Sequence, residues 1–250
     1  MSWDWQVFCQ DTISQEVGQS CFGQGGDITY LDWLLSAWGW TISVSLLSLV
    51  IALVVGAVVG TLRTLPHSPW TVRLGNAWVE FFRNIPLLVH IFLWYHVLPA
   101  MIPALKSLPG FVLVVCALGF FTSARIAEQV RSGIQALPRG QRYAGMAMGF
   151  TTWQTYRYVL LPMALRIIIP PLTSETMNIF KNSSVAFAVS VAELTMFAMQ
   201  AQEETARGVE IYLAVTGLYV VSAFAINRIM ALIEKRARVP GLIAAGGGGH

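Results

Sequence analysis

From Leu34 to Leu62 the chain carries no charged side chain, and the run stops at Arg63. As a helix, a stretch of this length crosses an apolar layer of about 30 Å with room for tilt. Composition agrees: of 250 residues 55% are hydrophobic and 12% charged, with mean hydropathy +0.60. A soluble domain usually carries about 25% charged residues. The chain therefore reads as an all-α integral membrane protein.

Four further spans follow. Ile85–Leu105 is entered through an amphipathic stretch, Val72–Arg83. Gly110 to about Arg131 carries Arg125 and Glu128 near its end, and Leu172 to about Met199 contains Glu175, Lys181 and Glu193. Tyr212–Ile233 is the last. The expected organisation is an N-terminal segment (1–33), a transmembrane domain (34–238) and a flexible Gly-rich tail (239–250). Gly56-Ala-Val-Val-Gly60 is a small-xxx-small pattern, read first as internal packing and second as a dimer seam.

Basic residues are unevenly spread. The first 33 residues hold five acids and no Lys or Arg. The second and fourth connections hold only Lys106 and Arg207. The first connection has Arg63, Arg73 and Arg83; the third has Arg131, Arg139, Arg142, Arg157 and Arg166; the tail has Lys235, Arg236 and Arg238. Cationic loops stay in the cytoplasm. The N-terminus is then expected on the periplasmic side and the C-terminus in the cytoplasm, which five spans satisfy. Trp3, Trp5, Trp33, Trp38 and Trp40 flank the outer end of the first span and read as an interfacial belt in contact with lipid.

The opening residues, MSWDWQVFCQD, have acids and aromatics where a cleavable signal would need a basic start and an apolar run. Cys9 and Cys21 share the N-terminal segment; a disulfide between them requires an oxidising compartment and is left open by the sequence. Cys116 lies in an apolar run and reads as a core residue. Net charge is a modest +3, and no nucleic-acid partner is expected. There is no Cys/His cluster and no GxxxxGK[ST], so neither a metal nor a nucleotide is expected on this chain. No nucleophile–base pair suggests itself, and the four His are scattered at 67, 90, 96 and 250, so an enzyme is not expected.

Between the third and fourth spans lies a segment of a different kind, Gly140–Pro162, GQRYAGMAMGFTTWQTYRYVLLP. Tyr143, Ala144, Ala147 and Met148 fall on one face of a short helix. Gly149 can end it in a left-handed conformation. Thr151 or Thr152 can cap a second helix in which Trp153, Tyr156, Val159 and Leu160 recur at helical spacing, and Pro162 is expected to stop it. The bland alternative is an amphipathic hairpin lying on lipid.

This segment resembles the EAA loop of ABC-type importer permeases, whose pattern is roughly E-A-A, three residues, G, about nine residues, then I/V-x-L-P. The matching positions are Ala144, Gly145 for the second Ala, Gly149, Val159, Leu161 and Pro162; Tyr143 stands where the family has its leading Glu. The likeness extends to other runs. Residues 128–141, EQVRSGIQALPRGQ, resemble the AE-x-x-RGGI-x-x-IP-x-GQ run of the polar amino-acid uptake subfamily. FRNIPLLV from Phe82 matches that subfamily's entrance to the second span, and PPLTSE (170–175) and VAELT (191–195) match too. The chain looks most like the glutamate/aspartate importer permeases.

The resemblance implies a type I importer permease architecture and a coupling role for the loop, here 138–165. Tyr143, Ala144, Gly145, Gly149, Val159, Leu161 and Pro162 would dock on a cytoplasmic ATPase dimer, which would hold ATP and Mg. A periplasmic binding protein would deliver the substrate, and a second, similar permease is expected, favouring a heterodimer. Arg125 stands where many family members carry an aromatic, and Asn182 where many carry Asp after Lys181. The pathway thus gains a cation and loses a carboxylate, which favours an acidic amino acid. Arg125, Lys181, Asn182, Ser183 and Ser184 are the expected pathway residues. Alternatively Arg125 pairs with Glu128 one turn on, and Lys181 with Glu175 or an acid of the partner. Two other functions stay open: the same architecture for a neutral or basic polar amino acid, or a secondary transporter with no ATPase.

Overall fold

The computed structural model describes residues 3–18, 20–23, 27–66 and 68–237. The tail 239–250, Arg238, His67 and His250 lie outside the described residues. Among the described residues the regular structure is helical, with two isolated antiparallel bridges, Gln10–Val17 and Asp11–Thr29. The helices are α1 (Tyr30–Leu62), α2 (Pro69–Asn84), α3 (Leu87–Phe92), α4 (Leu98–Met101), α5 (Gly110–Gln135), α6 (Arg139–Ala147), α7 (Thr152–Thr155), α8 (Leu161–Asn182), α9 (Leu194–Thr205) and α10 (Gly208–Ala237). Among the described residues four stretches are long and apolar enough to cross a membrane: 30–62, 110–135, 152–189 and 208–237. The number rises to five if Pro69–Asn84 and Leu87–Met101, bent by 108° at Ile85–Pro86, count as one span; the expected second span, Ile85–Leu105, covers only the second limb of that pair.

The chain divides into two compact units. The first draws on Met1–Ser48, Pro86–Leu118 and Ile179–Phe224. Its core joins Val7 and Phe8 to Tyr30, Leu34 and Ala37 of α1, Leu194, Phe197 and Ala201 of α9, and Ile211 and Val215 of α10. The described part of the N-terminal segment is therefore packed onto helices. It is fixed by the Cys9–Cys21 disulfide, by an ion pair from Arg207 to Asp4 at 3.2 Å, and by Tyr30 Oη donating to Glu204 at 2.8 Å. Glu193 caps α9: its carboxylate accepts from the N–H groups of Thr195 and Met196 and from Tyr219 Oη.

The second unit draws on Leu49–Ile85, Gly119–Asn178 and Ala225–His250. Here Gly56 and Gly60 let α1 approach α5. A Cβ on Gly56 would come within 2.7 Å of Ile126 Cβ, and one on Gly60 within 2.6 Å of the Ala127 carbonyl. The small-xxx-small pattern thus serves internal packing. In α2 the buried positions are Gly75, Val79 and Phe82, one stripe of an amphipathic helix, and Val79 and Phe82 pack on Ala124 and Ala127.

Two expectations fail. Pro162 does not stop its helix. A π turn, Tyr156–Leu160, precedes it, and Leu161 N–H donates to the Tyr156 carbonyl five residues back. This loosened turn accommodates a residue that lacks an N–H and crowds the preceding turn, so the helix runs on as α8. The same device precedes Pro99, where Leu93–Val97 is a π turn and Leu98 N–H donates to Leu93. Nor is the stretch from Leu172 to Met199 one span. α8 ends at Asn182, a tight 3-10 stretch covers Ser183–Val189, and the chain turns at Ser190 (φ 59°) before Glu193 starts α9. Apolar composition runs through this break; the capping carboxylate is what marks it.

Candidate functional site

The hairpin is built from local signals. α6 ends in a Schellman motif: Phe150 N–H donates to the Gly145 carbonyl at 3.1 Å and Gly149 N–H to the Met146 carbonyl at 3.0 Å. Gly149 has φ +79°, which glycine adopts without a Cβ penalty. Thr151 then caps α7 in a capping box, its Oγ1 accepting from Gln154 N–H while Gln154 Oε1 accepts from Thr151 N–H. Gly145 is buried, and a Cβ there would lie 3.0 Å from Thr155 Cγ2, so the two limbs touch through a glycine. Tyr156 is buried and its hydroxyl donates to the Thr64 carbonyl at 2.6 Å, anchoring the second limb just past α1.

The outer face of the hairpin is apolar and uncovered. Tyr143 is 60% exposed, Met148 75% and Trp153 72%, with Ala144 and Ala147 also exposed. Val159 and Leu161 are half-buried and Pro162 exposed. The seven residues expected to form the loop thus lie along one structure, with Gly145 and Gly149 shaping it and Tyr143 and Ala144 at the surface.

The second feature is ionic. A cavity of about 470 Å³ is bounded by Phe82 and Arg83 of α2, by Phe121, Arg125 and Glu128 of α5, and by Glu175 of α8. Arg125 does not pair with Glu128. Its Nη1 lies 3.9 Å from Glu175 Oε2, and its guanidinium stands 5.7 Å from the Phe121 ring centroid. Gln129 Nε2 donates to Glu175 Oε1 at 3.3 Å. The Arg125 side chain is 45% exposed and its contact with Glu175, at 3.9 Å, is loose.

Glu128 is taken by a residue that sequence reading missed. Arg63, whose side chain is 4% exposed, donates Nη2 to Glu128 at 2.8 Å and Nε to Asn76 Oδ1 at 2.8 Å. Arg83 stands 3.8 Å from the same carboxylate. Arg63 and Glu128 are 65 positions apart, and the only local hint was an Arg closing a long uncharged run.

Lys181, Asn182, Ser183 and Ser184 belong to the other unit, at the junction of α8 with the 3-10 stretch. Ser183 Oγ donates to the Phe180 carbonyl at 2.7 Å and Ser184 Oγ to that of Lys181 at 2.8 Å. These hydroxyl protons are already engaged, and the two oxygens remain as acceptors. Lys181 is exposed and, among the described residues, has no ion-pair partner; Glu175 is engaged by Arg125 instead.

Comparison with known proteins places the chain in a family. Residues 52–239 match the family described as binding-protein-dependent transport system inner membrane component. The chain is 39% identical to the glutamate/aspartate import permease protein GltJ of Escherichia coli K12, over 96% of this chain and 97% of that protein. It is 36% identical to the probable glutamine ABC transporter permease protein GlnM of Bacillus subtilis, over 78% of this chain and 89% of that one. Among solved structures it resembles an amino acid ABC transporter crystallised with histidines, with TM-score 0.71 and 28% identity, covering 83% of this chain and 95% of that one. The MetNI methionine transporter shares the fold at TM-score 0.71 and 22% identity, covering 84% of this chain and 98% of that one. The chain belongs to the family of binding-protein-dependent transport system inner membrane components.

Proposed function

We propose that this chain is the permease subunit of an importer that moves an acidic amino acid, L-glutamate or L-aspartate, from periplasm to cytoplasm across the bacterial inner membrane. Its membership makes it a transport subunit of an ABC system, working with an ATPase and a substrate-binding protein, and not itself an enzyme. The acidic substrate rests on one observation above the others: the partly exposed, loosely paired guanidinium of Arg125 at the opening of the ionic cavity. A guanidinium presents a two-pronged donor set to a carboxylate. Glu175 beside it supplies a carboxylate for an α-ammonium. The glutamate/aspartate relative supports the same reading.

Lys181, Asn182, Ser183 and Ser184 complete the proposed pathway. The proposed orientation puts 1–33 outside and the C-terminus inside; the Cys9–Cys21 disulfide supports an oxidising environment for the N-terminal segment. The hairpin around Gly149 then faces the cytoplasm, and its exposed Tyr143, Ala144, Met148 and Trp153 are the surface on which the ATPase docks. ATP and Mg belong to that subunit, and this chain binds no cofactor of its own. A second, similar permease completes the pathway, with a heterodimer favoured.

The test is ATP-dependent uptake of labelled L-glutamate, L-glutamine and L-arginine. Proteoliposomes would hold the assembled transporter with its binding protein, and Arg125→Ala would be run beside the wild type. Glutamate uptake should dominate and fall at least tenfold in the variant, as expected for a lost charge-assisted pair. Dominant glutamine or arginine uptake, or normal glutamate uptake by an assembled variant, would refute the acidic reading.

A further inference from the structure

The resemblance runs FRNIPLLV and EQVRSGI carry Arg83, Glu128 and Arg131, and the transport reading gives Arg131 no task. The structure gathers Arg83, Glu128 and Arg131 with Arg63 around a second open cavity of about 410 Å³, also walled by Glu80 and by Asn76 and Asn84. Three guanidiniums face two carboxylates there, leaving one positive charge unmatched.

The site is built rather than incidental. Arg63 is buried and locked by Glu128 and Asn76. Its stem passes over Gly75, where any Cβ would clash with Arg63 Cγ. Even so, Arg63 Nη1 and Arg131 Nε are both buried without a hydrogen-bond acceptor among the described residues. A buried charged donor left unmet is costly. The cluster also has a defined place along the chain: Arg63 follows directly on the uncharged run of α1 and Arg83 lies in the last turn of α2, positions expected at the edge of an apolar layer.

We propose that this cavity is an oxyanion site for a singly charged phosphate group, either the phosphodiester of an anionic phospholipid or phosphate from solution. Guanidinium pairs hold phosphate oxygens in two-pronged geometry, and one monoanion balances the local charge. Asn76 and Asn84 flank it with side-chain amides. The site neither requires nor excludes a particular transported substrate, and its test does not depend on transport.

The experiment is binding to the purified full-length permease with its companion subunits, read by native mass spectrometry. The probes are dioctanoyl phosphatidylglycerol, dioctanoyl phosphatidylcholine and inorganic phosphate. One phosphatidylglycerol per permease should be retained at concentrations where phosphatidylcholine is not. Arg131→Gln should weaken it roughly tenfold, and Glu80→Gln, at an exposed side chain, should tighten it. Inorganic phosphate that displaces the lipid identifies the same site. Phosphate that binds with this variant pattern while phosphatidylglycerol does not assigns the source to solution. Equal retention of both lipids with no phosphate binding, or affinities unmoved by both variants, overturns the proposal.

Discussion

At the scale of single residues, the strongest constraint is the buried guanidinium of Arg63. It lies on Glu128 and Asn76 at 2.8 Å each, with almost no solvent to replace either. Removing one member of such a pair leaves the other charge stranded, at a cost of about 3–5 kcal/mol. Glu128 is 32% exposed, so Glu128→Leu is expected near the low end of that range. For a chain of this size that lowers the thermal midpoint by roughly 6–12 °C, measurable by scanning fluorimetry in detergent. Arg63→Met combined with Glu128→Leu should recover much of the loss, because no buried charge is then left unpaired; Arg83, the other cation near Glu128, is 57% exposed and is met by solvent. A double variant as unstable as the sum of the singles would refute the coupling.

At the scale of elements, the sequence was informative where the physics is local. Gly149 and Thr151 act through hydrogen bonds spanning a few residues: Gly149 takes the left-handed conformation expected of it, and Thr151, one of the two capping candidates, caps α7 with Gln154 completing a capping box. The α2 stripe was legible for the same reason. Pro162 misled because its usual effect is offset by a π turn that leaves no composition signal. The break at Ser190 misled because apolar residues lie on both sides of it. Pairs such as Arg63–Glu128 and Arg125–Glu175 were illegible because tertiary packing, not spacing, selects the partner. The hairpin's local character also makes its role testable. Gly149→Pro forces φ to about −65° in place of +79° and removes the N–H that meets Met146. The limbs should then separate, and ATP-driven uptake in proteoliposomes should fall at least tenfold while the subunits still co-purify. Unchanged uptake would show that the turn geometry does not transmit the ATPase stroke.

At the scale of the whole molecule, the charge pattern predicts which side of the membrane each connection faces. Arg63, Arg73 and Arg83 lie on one side of the count of spans, with Arg139, Arg142 and Arg157 after α5 and Lys235 and Arg236 at the end of α10. Of the two cations in the other connections, Arg207 is engaged by Asp4 at 3.2 Å, within a segment that carries acids and no Lys or Arg. Each of those connections holds a single cation against three or more in the others, and the bias that holds loops in the cytoplasm counts Lys and Arg, not net charge. The expected topology is therefore N-terminus out and C-terminus in. A fluorescent protein fused after residue 250 should fluoresce in cells, and alkaline phosphatase fused there should be inactive. Cys9 and Cys21 should resist maleimide in unreduced membranes and react with a membrane-impermeant maleimide on intact spheroplasts after reduction. An active phosphatase fusion would invert the assignment, place the hairpin outside, and remove it from the reach of any cytoplasmic ATPase.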